Sequence, residues 1–84
     1  MANESKKPVH TIRYGAVRVA IWENEGANGA FFNATFERSY RDDKGKPRSA
    51  HAFGLADLGL LQRAAIEAAQ WITAEQAARS RSSA

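Results

Sequence analysis

Eighty-four residues with no cysteine and a net charge of +3 allow one small domain without disulfides, thiol catalysis or thiolate metal sites. No apolar run approaches the ~18 residues of a membrane span, and the first eight residues lack the apolar centre of a signal peptide. A soluble, cytoplasmic protein is expected, biased toward anionic partners by a pI near 9.7.

Residues 1–8, basic through Lys6 and Lys7, read as a disordered N-terminal tail. Residues 9–53 are rich in β-branched and aromatic side chains, interrupted at Gly15, at 25–29 and at 42–45. This punctuation predicts four strands at about 9–14, 16–24, 30–41 and 47–53. The breaks at 25–29 and 42–46 are hairpin-sized, which implies antiparallel pairing. Gly15 reads either as a turn or as a bulge within one long first strand.

Strict alternation in the second strand sets Val17, Val19 and Ile21 on one face and Arg18, Ala20 and Trp22 on the other. In the third, Phe32, Ala34, Phe36, Arg38 and Tyr40 share a face that starts in the core and runs past its edge. A bulge near Glu37 would change the face that Arg38 and Tyr40 use. Phe31, Phe32, Phe36 and Phe53 are expected in the core, because rings in small sheets usually fill the interior.

From Asp57 the period becomes helical, with Leu58, Leu61, Ala65, Ala68, Ala69 and Ile72 on one stripe and the helix running to about Ala78. Asp57 suits the N-terminus by capping or by complementing the helix dipole. A second apolar stripe through Leu60, Ala64 and Trp71 exceeds what one small sheet requires. Leu60, Ala64, Ala68 and Trp71 are therefore the expected dimer interface, helix against helix. Residues 79–84 read as a disordered C-terminal tail. The expected architecture is α+β: a single domain over 9–78, a four-stranded antiparallel curved sheet followed by one C-terminal helix (ββββα), in a helix-mediated homodimer.

The segment 37–48 is the most telling stretch, with five basic residues between Arg38 and Arg48 beside the ring of Tyr40. Charge for phosphates and flat faces for unstacked bases are what a single-stranded nucleic acid requires. Asp42 and Asp43 lie inside the same run and weaken its field. Trp22, on the face of Arg18, is a second candidate stacking ring, and Arg13 with Tyr14 adds a further charge and ring. Catalysis finds no support: the only histidines, His10 and His51, are far apart in sequence, with no nucleophile elbow or phosphate loop. No catalytic residue, metal ligand or small-molecule cofactor is expected.

With the order ββββα, the segment 35–47 (TFERSYRDDKGKP) resembles the central hairpin of the transcriptional positive cofactor four type domain, of the whirly-like single-stranded DNA-binding superfamily. In that family an Arg-rich strand ends in an aromatic and is followed by an Asp-containing, Gly-closed turn and a Lys-Pro basic stretch. Phe53-Gly54-Leu55 leading into the helix, and Ile12-Arg13-Tyr14 with Val17-Arg18 upstream, extend the likeness over roughly 9–75. The resemblance implies a curved sheet, a helix-mediated homodimer and binding of single-stranded or melted DNA along the sheet. It implies that Tyr40 is the stacking aromatic, with Arg38 in the basic strand and Lys44, Lys46 and Arg48 in the basic loop and fourth strand. Trp22 matches a ring at the end of the preceding strand. The chain departs from the family in a longer, acidic first hairpin, in Glu37, and in Arg48-Ser49-Ala50-His51.

The expected function is a non-enzymatic, homodimeric single-stranded nucleic-acid-binding protein, DNA favoured over RNA, as a transcription or replication accessory factor. Arg18, Arg38, Arg41, Lys44, Lys46 and Arg48 would neutralise phosphates, and Trp22 and Tyr40 would stack bases. The alternative is a protein-interaction module of the same fold, with Trp22 and Tyr40 as anchors.

Overall fold

The computed structural model describes residues 7–83, and side chains over 7–81; residues 1–6 of the expected tail at 1–8 lie outside this span. Strands β1 (His10–Tyr14), β2 (Val17–Gly26), β3 (Gly29–Arg41) and β4 (Pro47–Ala50) form one antiparallel sheet in chain order, followed by helix α1 (Leu55–Ser83). The α+β, ββββα architecture therefore stands.

Two-residue turns close the first two hairpins, with Tyr14 opposite Val17 and Gly26 opposite Gly29. Gly15 is a turn rather than a bulge, and its φ of 57° is the left-handed conformation that a tight hairpin turn favours glycine for. A Cβ there would also meet Leu60 Cδ1 at 3.2 Å. The β2–β3 ladder runs from Val17 opposite Arg38 to Gly26 opposite Gly29 with no bulge, so alternation holds along its whole length. β4 is shorter than expected, ending at Ala50, and pairs only Arg38 to Arg41 of β3. No strand pairs the outer edge of β3 over 29–37 among the described residues.

The core lies on one face of the sheet, where Ile12, Val17, Val19 and Ile21 meet Ala64 and Ala68 of the helix. Val17, Val19 and Ile21 are wholly buried. Phe32, Phe36, Phe53, Leu60, Leu61, Trp71 and Ile72 pack around them. Trp71 stacks on His10 with centroids 5.0 Å apart and meets Phe32 edge-on at 5.8 Å.

This packing corrects the expected dimer seam. Ala64 is 0% and Ala68 3% exposed within one chain, and Leu60 and Trp71 are half-buried against the same core. The four residues are the sheet-facing stripe, since two alanines let the helix approach the branched side chains of β2 while Leu60 and Trp71 fill either side. Leu58, Ala65 and Ala69, expected to face the sheet, are exposed instead. The stripe is thus rotated by about one residue from the expected one.

The helix starts and ends further out than its periodicity implied. Gly54 O accepts from the N–H groups of Asp57 and Leu58 at 3.0 Å, placing Asp57 in the first turn, where its charge complements the dipole. At the far end Arg79, expected in a solvated tail, bonds Glu23 at 2.8 and 3.0 Å and Glu75 at 3.0 Å, and lies over the Phe32 ring at 4.9 Å. The helix runs on past that latch to Ser83. Tyr14 donates from its hydroxyl to Glu67, a further tie between sheet and helix.

Ile21→Ala should cost about 2–5 kcal/mol in urea unfolding, because it opens a cavity where the fold has few large buried side chains. Ala68→Glu should abolish folding as seen by circular dichroism, since it buries an unpaired charge inside one chain.

Candidate nucleic-acid interface

Because directly paired residues point to the same side of a sheet, the ladder assigns every candidate side chain to a face. Arg13, Arg18 and Glu37 form one row across β1, β2 and β3 on the side opposite the helix. Trp22 with Asn33, Phe31 with Asn24, and Thr11 with Ala20 and Thr35 make neighbouring rows of that open face. Ser39 and Arg41 continue it toward the β3–β4 hairpin. No helix or strand among the described residues packs over it.

Arg38, Tyr40 and Arg48 occupy the other side, as their register with Val17 and with one another requires. They stand past the end of the core, where the helix begins. Arg38 Nε donates to Ala52 O at 2.8 Å, lies 3.9 Å from Asp57 Oδ2, and its guanidinium sits 5.3 Å from the Tyr40 ring centroid. The eight expected nucleic-acid-binding residues therefore do not converge on one surface. Arg18, Trp22 and Arg41 share the open face; Arg38, Tyr40 and Arg48 share the opposite corner; Lys44 and Lys46 lie in the turn between them.

On the open face Trp22 is half-buried and donates from Nε1 to Thr35 Oγ1 at 2.9 Å, which fixes the ring against the sheet. Phe31, expected in the core, is 46% exposed here, because its opposite number is Asn24 and not a core residue. The odd positions of β3 carry the sequence signal that identifies it, since Asn33 and Thr35 share its face. Arg13 stands directly opposite Arg18, two like charges across one ladder, and Glu37 takes up part of that charge through Arg18 Nη2 at 3.0 Å. The Arg18 guanidinium pulls the Glu37 carboxyl below its ordinary range, with smaller help from Ser49 and His51. Arg18 Nε is shielded and has no hydrogen-bond partner among the described residues.

Asp42 acts differently from the expected field-weakening charge. Its carboxylate accepts from the N–H groups of Lys44 and Lys46, both at 2.9 Å, and from Arg48 Nε at 3.0 Å. Those donors, the Lys46 N–H first, hold its pKa below the usual aspartate value. Gly45, at φ 80°, allows the tight path, and its carbonyl accepts from Arg41 Nη1 at 2.7 Å. Asp42 thus builds the turn that carries Lys44 and Lys46 outward, whereas Arg48 is partly committed to it.

His10 and His51 lie at opposite edges of the sheet, one on the β1 edge under Trp71 and one just after β4. Comparison of the chain with protein-family models, with curated proteins and with solved structures finds no match.

The lowered pKa values of Glu37 and Asp42 give the pH dependence its sign. Both carboxylates stabilise the fold when ionised, so that stability is present above their unfolded values and is lost as pH falls through the folded ones. The urea midpoint should therefore drop between about pH 5 and pH 2. Asp42→Asn should lower the midpoint at pH 6 and make little difference at pH 2.

Proposed function

We propose that this chain is a non-enzymatic, homodimeric single-stranded nucleic-acid-binding protein, DNA favoured over RNA, that acts as a transcription or replication accessory factor. The observation that carries the reading is the open sheet face, where the rings of Phe31 and Trp22 occupy adjacent rows at one end and Arg13, Arg18 and Arg41 stand toward the other, beyond the row of Thr11, Ala20 and Thr35. Rings offer stacking platforms to any base, and the guanidinium groups further along the face bind the backbone as it leaves them. The likeness of 35–47 to the whirly-like family's central hairpin points the same way, as does the pI. The ligand lies along the open face and leaves over the β3–β4 hairpin. There Lys44 and Lys46 meet its phosphates, with Arg38, Tyr40 and Arg48 at the corner beyond. Trp22 takes the principal stacking role and Tyr40 an accessory one.

The second reading, a protein-interaction module of this fold, is favoured by the outer face of α1. Leu55, Leu58 and Ile66 are 88%, 47% and 53% exposed there, and Ala69, Thr73 and Ala77 line a shallow apolar groove.

Fluorescence anisotropy with single- and double-stranded oligonucleotides over a salt series separates the two readings. Binding to single strands should weaken with salt, and each phosphate contact removed by Arg18→Ala or Lys46→Ala should lower the log–log slope by about 0.7. Trp22→Ala should cut affinity by about 5- to 150-fold, corresponding to ~1–3 kcal/mol for one stacked base. Tyr40→Ala should cost less. Glu37→Gln should raise affinity, because it unmasks Arg18. If no oligonucleotide binds at low salt, the nucleic-acid reading fails and the interaction module replaces it.

A further inference from the structure

The outer edge of β3 over 29–37 is a long run of strand backbone that no strand pairs among the described residues. In an antiparallel ladder each residue turns both backbone groups toward one neighbour, and successive residues alternate. Ser39 donates to Ala16 O at 2.8 Å, so odd-numbered residues of β3 bond toward β2 and even-numbered ones outward. Arg38 and Tyr40 find β4 opposite them, whereas Ala30, Phe32, Ala34 and Phe36 face no strand among the described residues.

Sheet edges of this length are ordinarily guarded by lysines, prolines, bulges or a covering element. The segment 29–37, GAFFNATFE, contains no Lys, Arg or Pro, and its ladder with β2 has no bulge. The other long-sheet edge, β1, is only five residues and carries Arg13.

We propose that this edge pairs with the same edge of a second copy of the chain, antiparallel about a two-fold axis at Asn33. It rests on the homodimer part of the reading above and not on the ligand. The sequence fits itself in this register. On the helix side Phe32 lies opposite Ala34 of the second copy, and Phe36 opposite Ala30, so each ring meets a methyl group. On the open side Phe31 lies opposite Thr35 and Asn33 opposite itself. Facing large and small side chains interdigitate best. Sliding the copies by two residues either way sets Phe32 against itself or against Phe36.

The outward groups of Ala30, Phe32, Ala34 and Phe36 then form about eight hydrogen bonds across the axis. No cation in the segment repels its copy, and an isologous contact closes at two subunits without leaving a new edge at the seam. Phe32 and Phe36, only half-buried at the margin of the core, gain cover from the second copy. The two open faces merge into one eight-stranded surface. Its two Trp22 residues stand three strand spacings apart, about 14 Å, so one single-stranded ligand can reach both.

The chain has no cysteine, so a single introduced thiol tests the seam without interference. Across the axis the two residues at position 33 form a non-hydrogen-bonded pair, about 4.5 Å between Cα atoms, within disulfide reach. In sedimentation velocity without nucleic acid the wild-type protein should be a dimer. Under mild oxidation Asn33→Cys should cross-link nearly completely, and Thr11→Cys, on the same face but in β1, should not. Ala34→Pro removes an outward N–H that the single chain does not use, and should give a folded monomer; if it unfolds, the cross-link still decides. A dimer in which Asn33→Cys cross-links no faster than Thr11→Cys overturns this seam and keeps the homodimer. A wild-type monomer at about 100 μM, where an interface of ordinary size would be saturated, overturns seam and homodimer together. The nucleic-acid reading then stands or falls on oligonucleotide binding alone.

Discussion

The contact between β2 and two alanines of the helix is the constraint on which the rest of the molecule depends. Val17, Val19 and Ile21 are wholly buried against Ala64 and Ala68, and in so short a chain little else supplies a core. Since side chains alternate along a strand, committing the odd positions of β2 to the helix commits the even ones to the opposite side. Arg18 and Trp22 reach the open face because their neighbours in the strand are committed to the core. The same alternation, carried unbroken across the β2–β3 ladder, sends Arg38 and Tyr40 to the helix side and brings Phe31 out with Trp22. Where the fold is stabilised thus decides which side chains the open face presents.

Charges in this chain serve two separate ends. Arg79, Glu23 and Glu75 fasten the end of the helix to the sheet, and Asp42 gathers three donors to shape the β3–β4 turn. These are interactions of the fold with itself. Arg13, Lys44 and Lys46 form no ion pair among the described residues, and Arg18 has only Glu37 against it. Three of the nine acidic residues, Glu23, Glu75 and Asp42, are held inside the latch and the turn by Arg79 and Arg48, so they offset little of the charge on Arg13, Lys44 and Lys46.

The strand count, the hairpins, their antiparallel pairing and the single C-terminal helix were all legible in the sequence. Turn residues and a change of period from two to 3.6 are local signals that tertiary contacts seldom override. The facing of the helix was not legible, since an alanine-rich segment offers two plausible apolar stripes. Choosing between them depended on which one leaves Leu60 and Trp71 beside the sheet. Phe31 stands on the open face although its hydrophobicity favours the interior, and Asn33 and Thr35, on the same face, are the marks of that side in the sequence. The division of the basic segment between two faces follows from the absence of a bulge near Glu37, and a bulge has no reliable mark in sequence. The role of Arg79 has no local mark in the sequence for a different reason: its partner Glu23 lies far away in the chain, and only the folded hairpin brings the two together.

Central to this account is that the sheet face opposite the helix, and not the helix itself, meets a single-stranded nucleic acid. Amide and indole NMR shifts recorded while a short single-stranded oligonucleotide is titrated into the protein test that claim most directly. The largest changes should map to Arg13, Arg18, Trp22, Phe31, Thr35 and Arg41, with smaller ones at Lys44 and Lys46 and almost none along the outer helix from Leu58 to Ala77. Shifts confined to that outer helix, or no shifts at low salt, would contradict it.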